Sequence, residues 1–459
     1  MNKAFKAIWS DVRQSFVTTS EIQPSHGKRS KASVSLSVAT VLLATSGLVS
    51  AAYVETGTLG DKASWETAEY NYNWGLGAMN ASSAYALGFY GQNTTTGVMD
   101  SGAWLGNPDL DTPRITATHV TGVYGSSGNR YPQSIYATIQ KGVVPTAAEG
   151  QPFTEGEEFD VKGDYTLGLN DAHGTQVTGV IGAERNGEYG HGVAFKANVV
   201  VGNTGATDNN NYGPFQDYNY YFKGYKALAD AVNAGNGEYR GGMVNNSYGT
   251  NTKIYSSGGH RLTPDEMSEL LAGSGNYDRA SAAYAVTFSG DYSFLGLNDV
   301  PGADQYSTNP SAFEWEYMYF KLKYGDKPSF LDGAYDAVKG TNVILSWAAG
   351  NQDRGTPYLK GLYPYFHPEA EKNWLNAVGV MQTRGDNDQY MQATYCKAGL
   401  AKWWSMSGPT AYPGIGTTYV TTDLENGRLT TTGFNGTSAS DPQISGAFTV
   451  LQSRYPSMT

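Results

Sequence analysis

At 459 residues, the chain is long enough to bury a large core, either as one catalytic domain or as two ordinary domains. Its formal net charge of -11 argues against a protein that binds nucleic acid or an anionic membrane, because both ligands require clustered lysine and arginine. Cys396 is the only cysteine, which excludes an intrachain disulfide, and we interpret it as a small packed side chain because no histidine motif accompanies it.

The N-terminus has the pattern of an export signal. An apolar stretch from Val34 to Leu48 is followed by small residues near Ala51 and is preceded by basic residues, namely Lys3, Lys6, Lys28, Arg29 and Lys31. The apolar stretch is shorter than the roughly 20 residues that a membrane-spanning helix needs. We therefore predict a signal peptide over residues 1–51, then an exposed leader or short pro-segment over residues 52–73, and no transmembrane helix in the mature chain.

The first candidate for chemistry is Asp100. It ends the short apolar run Thr96-Gly-Val-Met-Asp100 and is followed by Ser101 and the turn-forming Gly102. The end of a strand is where an α/β sheet places functional groups, although an isolated Asp-Ser-Gly is more often a turn. The polar run over residues 112–162, with its Gly, Ser and Pro, predicts surface loops.

The second candidate is His173. Small residues follow it, and then Val177, Val180 and Ile181 recur at helical spacing, which predicts a histidine at the start of a helix with a buried face. Taken alone, a histidine in this position is more often a satisfied polar group than a catalytic base.

Helical and strand-like patterns alternate through the rest of the chain. They predict helices over residues 223–234 and 331–338, a strand over residues 243–246, and a buried central strand over residues 342–351. This alternation favours an α/β fold with a mostly parallel sheet. Residues 207–211 contain Asp and Asn but lack the spacing of a known calcium loop, so we predict a solvated loop there and no metal or other cofactor.

The third candidate is Ser438, within the stretch Asn435 to Ala447. Small residues lead up to the serine, and Pro442 falls near the first turn of a predicted helix. The positive end of a helix favours an anion, and the backbone N–H of the serine can face a developing oxyanion. A serine nucleophile also needs a base and an acid that orients the base, and His173 and Asp100 supply these two parts.

In the order Asp, His, Ser, these stretches resemble the three active-site motifs of the subtilases, the subtilisin-like serine peptidases. The motifs are Asp100-Ser101-Gly102, His173-Gly174-Thr175-x-Val177-x-Gly179 and Gly436-Thr437-Ser438-x-x-x-Pro442. The resemblance implies a subtilisin-like three-layer α/β fold over residues 74–459, with a mostly parallel central sheet, helices on both faces and loop-rich insertions at about 112–162 and 250–329.

The resemblance also implies residues that bind substrate. Asn351 matches the family's oxyanion segment, where a side-chain amide donates to the oxyanion. The other matched residues line the cleft for an extended peptide or the pocket for the residue before the cut bond, and they are Ser247, Tyr248, Gly249, Ser346, Ala348 and Gly350. Asp441 and Gln443 stand where the family commonly has a small residue and a histidine. We interpret Asp441 as a carboxylate that favours the helix dipole or raises the pKa of the histidine.

The N-terminal extension resembles the extended signal peptide region of Gram-negative autotransporters, whose passengers reach the surface through a C-terminal β-barrel. This implies export by the Sec machinery through the periplasm to the cell surface or the medium. The chain ends at Thr459, soon after Ser438, without the alternating strands that a barrel needs. We therefore expect either a fragment of a barrel-bearing protein or a chain that lacks the barrel, with a C-terminally truncated peptidase domain.

The predicted function is that of an exported serine endopeptidase, which hydrolyses a polypeptide through an acyl-enzyme and requires no cofactor. One alternative is an inactive or adhesive surface passenger on the same scaffold, suggested by the 57 Gly and 34 Tyr residues and by the truncation. Another is a serine esterase of the α/β-hydrolase type. That class requires Gly-x-Ser-x-Gly and the order Ser, acid, His, whereas Ser438 lies in Gly-Thr-Ser-Ala-Ser.

Overall fold

The structure is a computed structural model, and it describes residues 5–10, 15–20, 53–130, 151–164, 172–188, 190–204, 217–237, 240–248, 327–351, 355–382, 390–392, 395–410, 417–423 and 428–457. The chain forms two compact units, Met1–Glu55 and Thr56–Thr459. In the first unit, strand β1 (Phe5–Ser10) pairs antiparallel with β2 (Ser15–Ser20).

The second unit contains α-helices and β-strands that alternate along much of the chain. The strands are β3 (Thr95–Asp100), β4 (Ile115–Ala117), β5 (His119–Val123), β6 (Gly128–Arg130), β7 (Gln151–Phe153), β8 (Glu158–Lys162), β9 (Asn198–Asn203), β10 (Gly242–Asn246), β11 (Val343–Ala348), β12 (Trp374–Gln382), β13 (Tyr390–Gln392), β14 (Ser405–Pro409), β15 (Thr417–Asp423) and β16 (Arg428–Phe434). The α-helices are α1 (Ala68–Tyr72), α2 (Trp74–Ala78), α3 (Ala81–Ala86), α4 (His173–Gly182), α5 (Tyr218–Asn236), α6 (Phe330–Val338), α7 (Leu359–Phe366) and α8 (Thr437–Arg454). Short 3₁₀ helices cover Lys62–Trp65, Pro368–Asn373 and Gly399–Trp404.

A mostly parallel sheet is the centre of this unit. Its strands follow the order β13-β12-β11-β10-β3-β9-β4, and β14 also pairs with β12. All of these pairings are parallel except that between β12 and β13. The run over residues 342–351 therefore contains the inner parallel strand β11, as its apolar pattern predicts.

Helices cover both faces of the sheet. Successive residues of a strand point to opposite faces. On β10, Met243 packs with Ile444 of α8, whereas the next residue, Val244, packs in the cluster that contains Leu228 of α5. Helix α6 packs on α5, and α4 packs on α8, so each face carries a pair of helices. This is the three-layer α/β architecture that the sequence predicts.

The functional edge of the sheet follows from the parallel direction of its strands. Asp100 is the last residue of β3, Ser247 follows the end of β10, and the segment from Ala349 to Asn351 follows the end of β11. Neighbouring parallel strands place their carboxyl ends at one edge, where α/β proteins bind ligands. Residues that are far apart in the sequence therefore meet at this edge.

Residues 112–162 are not only surface loops, so that prediction is wrong in part. Strand β4 pairs with β9 in the central sheet, and β5 pairs antiparallel with β8. Tyr124, Phe153 and Phe159 are buried, with the rings of Tyr124 and Phe153 stacked at 4.3 Å. These strands are short and polar on one side, and the core contact depends on widely spaced aromatic residues, so the sequence pattern is weak.

The predicted exposed leader also contains buried residues. Trp65, Tyr70 and Asn73 are buried, because their side chains pack on or bond to the body of the unit. The ring centroids of Trp65 and Phe195 lie 6.4 Å apart, and Asn73 Oδ1 accepts a hydrogen bond from Gln443 Nε2 at 2.8 Å. The expected exposure is thus wrong for these residues, whereas a pro-segment at residues 52–73 stays a prediction. The loop at 207–211 and the insertion at 250–329, except residues 327–329, lie outside the described residues.

Candidate active site

Asp100 and His173 form a buried hydrogen-bonded pair. Asp100 Oδ1 lies 2.9 Å from His173 Nδ1, and it also accepts from the backbone N–H of Ser101 at 2.8 Å. The Asp100 side chain is fully buried and the His173 side chain is 11% exposed. A carboxylate can only accept, so Nδ1 carries the proton and Nε2 is the basic nitrogen of the ring.

A close backbone approach makes this pair possible. A Cβ on Gly174 would lie 2.0 Å from the carbonyl oxygen of Gly102, so only glycine fits where helix α4 meets the turn after β3. The Ser101 hydroxyl accepts from the Gly174 N–H at 3.0 Å. The glycines of the two motifs thus allow the histidine at the helix start to reach the aspartate at the strand end.

Ser438 lies in the first turn of α8, as predicted. Gly436, with φ of 83°, precedes the helix, and Phe434 packs edge-on to the His173 ring at a centroid distance of 5.3 Å. The Ser438 hydroxyl donates to the backbone carbonyl of Ser247 at 2.7 Å. A hydroxyl has one proton, so in this arrangement the Ser438 proton is directed at the segment after β10 and not at His173.

Asn351 lies beside Thr437, the residue before Ser438, and is held through its amide oxygen. Asn351 Oδ1 accepts from the Thr437 N–H at 2.8 Å and from the Thr437 hydroxyl at 3.0 Å. The Thr437 hydroxyl in turn accepts from the Gly350 N–H at 3.0 Å. With its oxygen held in this way, Asn351 presents its NH₂ group as a donor, which suits an oxyanion site. The anchoring role of Thr437 was missed by sequence reasoning.

The remaining predicted substrate residues occupy the ends of β10 and β11. Ser247 and Tyr248 follow β10, and the Tyr248 side chain is buried with its hydroxyl 2.6 Å from that of Tyr225. Ser346 and Ala348 lie on β11, and Gly350 follows it. The Ser346 hydroxyl donates to Asp441 Oδ1, so this side chain faces the buried carboxylate. Gly249 lies outside the described residues.

Asp441 is fully buried beneath these residues. Burial raises its pKa to about 7, and hydrogen bonds from Ser346, Asn246 and Ser247 limit the rise. From the sequence, we interpret Asp441 as an unusual carboxylate that favours the helix dipole or raises the pKa of the histidine. The structure places its carboxylate against the ends of β10 and β11.

Lys360 is a further buried group that sequence reasoning missed. Its side chain is fully buried, and its ammonium donates to the backbone carbonyl of Tyr248. The ammonium also lies 5.3 Å from the Tyr248 ring centroid and 5.9 Å from that of Trp347. A single lysine within the apolar and aromatic run from Tyr358 to Phe366 is the signal that could have identified it.

Comparison with known families agrees with the sequence motifs. The sequence model of the subtilase family (peptidase S8) matches residues 91–459. The chain belongs to the subtilase family. The Asp100, His173 and Ser438 motifs all lie within the matched region.

Curated relatives of this subtilase include proteins from Gram-negative bacteria. It is 24% identical over 428 residues to an extracellular serine protease of Serratia marcescens, and the matched stretch covers 89% of this chain and 32% of that protein. It is 31% identical over 123 residues to serotype-specific antigen 1 of Mannheimia haemolytica, covering 27% of this chain and 12% of that protein. The subtilase thus spans about a third of the length of the first of these relatives.

Among solved structures, the subtilase is similar to a serine protease of Aeromonas sobria. The two chains are 17% identical with a TM-score of 0.40, and the match covers 85% of this chain and 55% of that one.

The N-terminal region of the subtilase is an export signal. Residues 1–50 match the sequence model of the extended signal peptide of the type V secretion system. The predicted extended signal peptide and the prediction of export from a Gram-negative bacterium are confirmed. In the part of the chain that the structure describes, no helix has the length and apolar character needed to span a bilayer. The same described residues contain no group of three or more His, Cys, Asp or Glu side chains that could hold a metal ion.

Proposed function

We propose that this subtilase is a serine endopeptidase that hydrolyses peptide bonds in a polypeptide through an acyl-enzyme. The observation that carries the proposal is the buried hydrogen bond of 2.9 Å between Asp100 and His173, at the sheet edge where the Ser438 hydroxyl donates to the Ser247 carbonyl. An imidazole whose proton is held on Nδ1 by a buried carboxylate has its other nitrogen available as a general base. The subtilase family membership supports the same reaction.

In the proposed reaction, His173 Nε2 takes the proton of Ser438 as the serine oxygen attacks the carbonyl carbon of the scissile bond. For this transfer, the hydroxyl first turns away from the Ser247 carbonyl to which it donates. Asp100 holds the ring in its orientation and stabilises the imidazolium that forms. His173 then gives the proton to the leaving amine, and an acyl-enzyme on Ser438 remains.

The oxyanion of each tetrahedral intermediate would be bound by Asn351 Nδ2 and the backbone N–H of Ser438. The fixed amide of Asn351 favours this role, because the donor needs no reorientation as the charge develops. A water molecule, activated by His173, then hydrolyses the acyl-enzyme. A donor of this kind contributes roughly 3 to 4 kcal/mol of transition-state stabilisation.

A fluorophosphonate probe tests the proposal directly. The purified full chain should be labelled on Ser438, and the Ser438→Ala variant should be neither labelled nor able to cleave an unfolded protein substrate. Ser440→Ala is a matched control, since Ser440 is a buried serine on the same helix. Folded wild-type protein that resists labelling would contradict the proposal and favour an inactive or adhesive passenger.

A further inference from the structure

The segment Asn246–Tyr248, at the carboxyl end of β10, is held by ionisable side chains from two different helices. Asp441 Oδ2, on α8, lies 3.3 Å from the backbone N–H of Asn246 and 3.4 Å from the hydroxyl of Ser247. Lys360, on α7, donates to the backbone carbonyl of Tyr248. Asp441 and Lys360 are both fully buried, so the two side chains act on this segment from inside the protein.

Asp441 also joins the segment to the neighbouring strand. The Ser346 hydroxyl of β11 donates to Asp441 Oδ1. One carboxylate therefore connects the helix of Ser438 with the ends of both β10 and β11.

The segment that Asp441 and Lys360 hold is in direct contact with the proposed nucleophile. The Ser247 carbonyl accepts the Ser438 hydroxyl at 2.7 Å. In the proposed function, an extended peptide would add as a strand along the backbone at Ser247 and Tyr248. A shift of this segment would therefore move both the resting partner of Ser438 and the proposed binding edge for the peptide.

We propose that Asp441 and Lys360 are positioning residues, which hold the Asn246–Tyr248 segment in register with Ser438 for cleavage of an extended peptide. This inference rests on the proposed peptidase function. Buried ionisable groups are costly unless they are well partnered, and here the partners are consecutive residues of one short segment.

A positioning role and a purely structural role predict different effects on peptide cleavage per active site. A fluorophosphonate reacts with Ser438 without occupying the edge at Ser247 and Tyr248, whereas an extended peptide needs that edge. Loss of positioning should therefore slow peptide cleavage per active site more than it slows labelling. Loss of stability alone would lower the number of labelled sites and leave each remaining site normal.

The test uses the full chain with Asp441→Ala, Asp441→Asn and Lys360→Met. Active sites are counted with the fluorophosphonate, and kcat/KM per labelled site is measured on a peptide of at least four residues before the cut bond. We expect Asp441→Ala to lower kcat/KM per site by about 10- to 100-fold, with a much smaller change in the labelling rate. Lys360→Met should show the same asymmetry, and Asp441→Asn should recover most of the loss because its amide oxygen can still accept.

Asp217→Asn is the matched control. Asp217 is an equally buried carboxylate that accepts from Gly125, Ser126 and Tyr220 near the start of α5, away from the site, so this variant should keep wild-type kinetics per site. If Asp441→Ala or Lys360→Met folds and has wild-type kcat/KM per site, or loses labelling and cleavage equally, the inference is overturned. If Asp441→Ala does not fold, Lys360→Met alone decides. Absence of labelling in the folded wild-type protein would instead overturn the proposed function itself.

Discussion

Thr437 holds the amide oxygen of Asn351 with both its backbone N–H, at 2.8 Å, and its hydroxyl, at 3.0 Å. The residue before the proposed nucleophile thereby orients the proposed oxyanion donor. The same hydroxyl accepts from the Gly350 N–H, so it connects the start of α8 with the turn after β11. Oxyanion site and nucleophile are thus built by adjacent residues of one helix start.

We expect Thr437→Val to lower kcat by about 5- to 10-fold with little change in KM. The substitution keeps the shape of the side chain, but it removes the hydroxyl and leaves the buried Gly350 N–H without its acceptor, which together cost on the order of 1 kcal/mol. Thr437→Ser keeps the hydroxyl and should stay close to wild type. Steady-state kinetics on a peptide, corrected for labelled active sites, measures the difference. Equal kcat for Thr437→Val and wild type would show that Asn351 needs no anchoring.

Asp100→Asn should lower kcat by about 10⁴-fold with the protein still folded. An asparagine can turn its NH₂ group toward His173 Nδ1, and the ring proton would then move to Nε2, where it blocks acceptance of the serine proton. Asp217→Asn, which changes another fully buried carboxylate, should keep its activity. Activity of Asp100→Asn within tenfold of wild type would mean that His173 does not depend on this carboxylate.

The strongly patterned elements of the fold are predictable from the sequence. The continuous apolar run of β11 and the apolar spacing after His173 predict a buried strand and a helix start at the observed places. The short strands β4 and β5 are not predictable in this way, since they have few residues and little alternation. Their pairing depends on partners, β9 and β8, that lie far along the chain.

The candidate site also combines residues that a local motif predicts with contacts that depend on distant parts of the chain. Motifs predict Asp100, His173, Ser438 and Asn351, because each lies at the start or end of a recognisable element. The contacts that support these residues are not predictable, since Asp441 meets Asn246 only after the sheet and α8 have packed. A buried carboxylate and an exposed helix-start carboxylate have the same local sequence, so only the packing distinguishes them.

The buried carboxylate of Asp441 should make stability depend on pH. Its pKa is raised to about 7 from 3.8, chiefly by burial, so the folded state holds a proton that the unfolded state has lost between these values. Its stabilising contribution is therefore present below about pH 4 and is lost as the pH rises toward 7, by up to about 1.4 kcal/mol per pH unit. Asp441→Asn lacks this titration. Its free energy of unfolding minus that of wild type should therefore increase from pH 5 to pH 8, because only wild type loses this contribution.

Other titratable groups near Asp441 are common to wild type and the Asp441→Asn variant. Lys360 on α7 and Tyr225 on α5 interact with its charge, and His173 and Asp100 lie on α4 and β3, which pack against α8. Their effects cancel to first order in the difference between the two proteins, which denaturant unfolding at each pH measures. A difference that is constant with pH would show that Asp441 titrates at its ordinary value in the folded state.

His191 should have the opposite effect on stability. It is fully buried, and burial is the main cause that lowers its pKa from 6.5 to about 3. Arg185 Nη1 donates to His191 Nε2 at 3.0 Å, and His191 Nδ1 donates to the Gly192 carbonyl at 2.8 Å. Both nitrogens of the neutral ring therefore have a hydrogen-bond partner. Between pH 3 and pH 6.5 the unfolded chain binds a proton at His191 that the folded chain does not bind.

The contribution of His191 is therefore fully present above about pH 6.5 and is lost as the pH falls toward 3, by up to about 1.4 kcal/mol per pH unit. His191→Asn removes this titration and should flatten the acid limb of the stability curve, whatever it costs at neutral pH. The nearby charged and titratable groups, Glu69, Tyr70, Tyr85 and Arg185, are present in both proteins, so the difference between the two curves isolates the histidine. Denaturant unfolding at each pH from 7 down to 4 measures the free energy of unfolding of both proteins. The difference between His191→Asn and wild type should become smaller as the pH falls. Parallel curves would mean that the folded protein accepts a proton on His191, which its burial beside Arg185 opposes.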